Sequence, residues 1–115
     1  MLKEVNSTLE YRGKSYKLVF NLNVMEAIQA EYGTVERWGE LTDGKSGEVD
    51  IKALIFGITQ MINEAIDIDN EDNGANDPFL THKQVARIVS EIGTKNAAQN
   101  MNEFPFPAPS PPPSG

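Results

Sequence analysis

The side chains most capable of chemistry are gathered in Asp67-Ile68-Asp69-Asn70-Glu71-Asp72-Asn73-Gly74, where oxygen donors alternate ahead of a glycine and between two helical patterns. A twelve-residue calcium loop needs that arrangement, because a hard cation takes carboxylate and carbonyl oxygens from alternate positions of a tightly turning chain. Counted from Asp69, residues Glu71, Asn73 and Gly74 take the third, fifth and sixth positions. The twelfth position requires a bidentate glutamate and holds Leu80, and Pro78 interrupts the approach to the next helix. The expectation is a solvated acidic loop from Asp67 to Pro78, with weak calcium affinity as the alternative to plain solvation.

Other chemistry is thinner. His82 is the sole histidine and follows Thr81, but no nucleophile or orienting carboxylate is placed by the pattern to make it a general base, so it reads as an exposed residue at a helix start. Gly44-Lys45-Ser46-Gly47 lacks the spacing and the strand-to-helix context of a phosphate loop. Cysteine is absent, which excludes disulfides, thiol nucleophiles and cysteine-ligated metals. The reading is therefore of a protein that is not an enzyme, with no catalytic, cofactor or metal residues and no cofactor. What remains is binding: Trp38, Phe56, Met61 and Phe104 are the candidate partner anchors, aromatics and methionine being enriched at interface centres, although in a domain this small such residues more often belong to its own core.

Charge narrows the partner. Seventeen acidic against ten basic side chains give a net charge of −7, which a nucleic-acid backbone would repel, and the cations Lys3, Arg12, Lys14 and Lys17 read as solubilising residues beside a turn. No apolar run reaches the roughly 18 residues of a membrane span, and the start resembles no signal peptide, so the expected setting is cytoplasmic, with a protein as partner and self-association open.

The elements that must position these residues follow from period. Between Val5 and Asn23 apolar residues alternate about Arg12-Gly13-Lys14, which predicts a β-hairpin whose second arm puts Tyr16, Leu18, Phe20 and Leu22 on one face. The period then becomes helical: Asn23 as N-cap and Gly33 as stop bound a first helix, and Val35 to Leu41 form a short second one. Asp50 caps a long third helix to Ile66, with Ile51, Leu54, Ile55, Ile58 and Ile62 in one stripe. Thr81 and Gln84 form a capping box ahead of a fourth helix with Val85, Ile88 and Val89 on one face and Gly93 at its end. Ala97 to Met101 suit one further weak turn. From Pro105 to Gly115 the chain carries six of its seven prolines, a tail or linker of polyproline character in which Pro109-Ser110-Pro111-Pro112 is a minimal PxxP. The expected fold is α+β: an N-terminal β-hairpin packed against three to five helices over residues 1–104, then a disordered proline-rich tail over 105–115.

The order of motifs carries a resemblance. The hairpin Gly13-Lys14-Ser15-Tyr16-Lys17-Leu18-Val19-Phe20, the helix Met25-Glu26-Ala27-Ile28-Gln29-Ala30-Glu31-Tyr32-Gly33, the apolar helix ending Met61-Ile62-Asn63-Glu64-Ala65-Ile66-Asp67, and Leu80-Thr81-His82-Lys83-Gln84-Val85-Ala86-Arg87-Ile88-Val89 follow one another. Over about residues 7 to 93 this is similar to the small tail-assembly chaperones of long-tailed bacteriophages, in particular to the small tail protein of gene-transfer agents. That resemblance implies a protein of the host bacterial cytoplasm, made during tail morphogenesis. It would bind the tape-measure protein, keep its hydrophobic helices soluble, and help recruit tail-tube subunits. The family has no catalytic residues to carry over. The proline-rich end resembles the linker to a frameshifted extension made in many such phages. A minor structural tail protein of the virion is the alternative within the same setting.

Overall fold

The computed structural model describes residues 7–45 and 47–93. The proline-rich tail, the weak turn expected at Ala97 to Met101, and Phe104 lie outside the described residues. The described part is α+β, with a two-stranded antiparallel hairpin, β1 (Ser7–Tyr11) and β2 (Lys14–Leu18), followed by four helices. Tyr11 pairs with Lys14, leaving the two-residue turn Arg12-Gly13 at φ 51° and 78°. Positive φ at both positions is the left-handed turn whose twist matches that of paired strands, which is why glycine is needed at the second. Leu9, opposite Tyr16, and Leu18 point inward and are buried.

The second arm is shorter than its alternation suggests. β2 stops at Leu18, and the Val19 N–H turns from the ladder to donate to the Met61 carbonyl at 3.2 Å. The first helix, α1 (Leu22–Tyr32), consequently begins earlier than expected: its N-cap is Asn21 and not Asn23, with the Asn21 side chain accepting from the Val24 N–H at 3.2 Å. Leu22, expected on the buried face of the strand, instead stands on the first helical turn, 68% exposed. Alternation alone cannot tell a continued strand from a capped turn when an asparagine is available at either position.

Gly33 closes α1, and Thr34 caps α2 (Val35–Thr42) through a 2.9 Å bond from the Arg37 N–H. Asp50 caps α3 (Ile51–Asn73), and Thr81 and Gln84 form the expected capping box of α4 (His82–Ile92), which Gly93 ends. The acidic loop is corrected: Asp67 to Asn73 is the last two turns of α3, which ends at Gly74 in the left-handed conformation. Asparagine and aspartate are poor helix formers, and four acidic residues at a helix C-terminus oppose its dipole, so local preference argues against those turns. Half-buried Ile66 and Ile68 and the bonds made by Asn70 hold them in the helix.

The core forms where α3 crosses the hairpin, α1, α2 and α4. Its centre is Trp38, fully buried, its indole N–H donating to the Ala53 carbonyl at 2.8 Å and its ring stacked 6.3 Å from Phe20. Gly57 of α3 faces the indole. At the same end, Tyr32 meets Phe56 edge-to-face at 5.6 Å. Burial, with the nearby charges of Asp50 and Glu31, raises the Tyr32 pKa above its ordinary 10.0. Above that pH the unfolded chain gives up the phenolic proton while the folded one retains it, so the stability Tyr32 contributes is present below 10.0 and is lost as pH climbs through the folded value. Urea midpoints taken at about pH 9 and about pH 11 should fall less in Tyr32→Phe than in the wild type; an equal fall would remove the argument.

Candidate partner-binding site

On the side of α3 away from its most buried residues, Gln60, Asn63, Glu64 and Asp67 share one face at the spacing i, i+3, i+4 and i+7. Two neighbours on that face tie down two different parts of the chain. Glu64 accepts from the side-chain amides of Asn21 at 2.7 Å and Asn23 at 3.0 Å, anchoring the start of α1. Asn63 takes hold of Leu80 through both backbone groups, accepting from its N–H at 2.8 Å and donating to its carbonyl at 3.0 Å. One heptad further, Asn70 repeats the arrangement with Asp77, at 3.0 Å and 3.1 Å.

The two clamps match in length. Seven helical residues rise about 10.5 Å and three extended residues span about 10 Å, so Asn63 and Asn70 can hold the strap 77–80 at both ends without stretching either. Between the clamped residues lie Pro78 and Phe79. Proline removes one backbone freedom, and Phe79 is left 55% exposed on a backbone held from both sides. Asn23, Val24 and Phe79 join the α3 face to line an open groove of about 200 Å³. Val24 in its lining is apolar and buried, and around it stand three amides, Asn23, Gln60 and Asn63, and two carboxylates, Glu64 and Asp67.

None of the described anchors expected from the sequence, Trp38, Phe56 and Met61, lines the groove. Trp38 and Met61 have no exposed surface, so their expected role as surface anchors is corrected: both are core residues. Phe56 is half-buried and packed against the core beside Tyr32. Phe104 lies outside the described residues. What the anchor reading missed was Phe79, a lone aromatic after proline in a polar stretch, and the recurrence of asparagine at 63 and 70.

The helical state of Asp67 to Asn73 also changes the acidic cluster. Successive alternate residues on a helix diverge by about 200°, so Asp69, Glu71 and Asn73 cannot converge on one cation. Asp69 lies 3.9 Å from Lys17 of the hairpin. Among the described residues no three of His, Asp or Glu are grouped to hold a metal. His82 occupies the exposed first turn of α4.

No protein family, curated protein or solved structure matches this chain. No helix among the described residues is long and apolar enough to cross a membrane.

Proposed function

We propose that this domain binds apolar helical segments of another protein and serves as a small tail-assembly chaperone, with the tape-measure protein as client and tail-tube subunits as further partners. The observation that supports it best is Phe79, an aromatic presented on a clamped backbone at the edge of a groove, on an acidic domain. A side chain held in place before binding loses little freedom when a partner covers it, and such aromatics dominate interface energies. Net negative charge keeps the domain, and a client bound to it, from associating indiscriminately.

Coexpression with a tape-measure fragment tests the reading. The fragment should become soluble with the wild-type chain and copurify with it. Phe79→Ala should leave the melting temperature nearly unchanged, its side chain being more than half exposed, while weakening client binding by about tenfold. A fragment equally insoluble with and without the chain would count against the chaperone reading. A client retained at full affinity by Phe79→Ala would count against this surface.

A further inference from the structure

We propose that the groove between Val24 and Phe79 is an intramolecular docking site for the chain's own Phe104-Pro105-Phe106-Pro107 segment. The inference rests on the groove and the sequence, and holds whichever client the domain serves.

A proline-rich segment brings a distinctive chemistry: prolines lack the N–H, so its backbone is rich in acceptors and poor in donors, and its rings stack on aromatic faces. The groove offers the complement. Gln60 has no side-chain hydrogen-bond partner among the described residues. Asn23 gives one amide hydrogen to Glu64 and Asn63 gives one to the Leu80 carbonyl, and each –NH2 carries two. Three amide donors are therefore set around the apolar Val24, with Phe79 exposed at the rim.

Charge and reach agree. Residues 104–115 contain no Asp, Glu, Lys or Arg, so the carboxylates of Glu64 and Asp67 do not repel them as they would an acidic segment. The segment leaves from Gly93, at the far end of α4 from Phe79. That helix is about 16 Å long, and the eleven residue steps from Gly93 to Phe104 span up to about 36 Å, enough to return along α4 and enter the groove. A groove of about 200 Å³ takes one or two side chains of a short segment.

Because the chain has no cysteine, Ala108→Cys carries a single nitroxide label in the full-length protein. In the labelled chain, the amide signals of Asn23, Gln60, Asn63 and Phe79 should lose most of their intensity, while those of Arg37 and Glu40 on α2 keep theirs. Adding Phe104→Ser and Phe106→Ser to the labelled chain should restore the groove signals. Full intensity at the groove in the labelled chain overturns the proposal. So does an equal loss in a mixture of isotope-labelled unspun chains with spin-labelled ones, since the segment would then come from a second copy.

Discussion

Gly57→Ala should destabilise the domain by about 2–3 kcal/mol and lower its melting temperature by about 10–20 °C, against the trend for glycine in a helix. In an ordinary helix interior alanine would be favoured by about 1 kcal/mol. Here a Cβ at 57 would fall within the Trp38 indole, 2.7 Å from Cε2, 3.0 Å from Nε1 and nearer still to Cζ2. The ring has no room to retreat, being fully buried, stacked on Phe20 and bonded to the Ala53 carbonyl at 2.8 Å. Moving it would leave a buried N–H and carbonyl unpaired, each at a cost of about 1–3 kcal/mol, so either response outweighs the helical gain. Trp38 is the chain's one tryptophan, and a red shift of its emission would report the displaced indole. In a Trp38→Phe background the same glycine substitution should cost less, with a coupling above about 1 kcal/mol. A stabilising Gly57→Ala would refute the close approach.

The second large effect is expected at Asn63. Asn63→Ala removes both bonds to the half-buried backbone of Leu80, a loss of about 2 kcal/mol. Asn63→Asp should cost less, since its carboxylate still accepts from the Leu80 N–H, but it sets an oxygen against the Leu80 carbonyl where a donor stood at 3.0 Å. Asn70→Ala breaks the same kind of clamp where Asp77 is exposed and water replaces the amide, and should cost under about 1 kcal/mol. Hydrogen exchange separates these cases: the Leu80 amide should exchange about thirtyfold faster in Asn63→Ala and little faster in Asn70→Ala. Equal costs for the two alanines would mean that the strap is held by its side chains and not by the amides. Phe79 would then lack the rigid backing on which the binding reading depends.

Much of the architecture was legible because the relevant forces are local. The Arg12-Gly13 turn, the caps Asp50 and Thr81, the Gln84 partner of Thr81 and the stops at Gly33 and Gly93 each act within a few residues of themselves. The stripe through Leu54, Ile58 and Ile62 declared a buried face, while Ile51 at its start is left 49% exposed on the first turn of α3. The binding anchors were less legible, because an aromatic type does not reveal its exposure. Trp38 could be placed on a helix, but only Gly57 crossing above it shows that the ring lies inside the core.

Sequence by itself determined the α+β class, the hairpin turn, four helices and the caps at Gly33, Asp50, Thr81 and Gly93, since period, glycine and capping side chains act over short spans. Tertiary structure decided what depends on distant neighbours. Strand β2 ends where Val19 meets Met61, and the Asp67 to Asn73 segment is helix because Asn70 finds Asp77 and the isoleucines find partial burial. Phe79 is exposed because Asn63 holds Leu80, seventeen residues away. Such hydrogen bonds form only after the chain has folded back on itself, and no local preference encodes them.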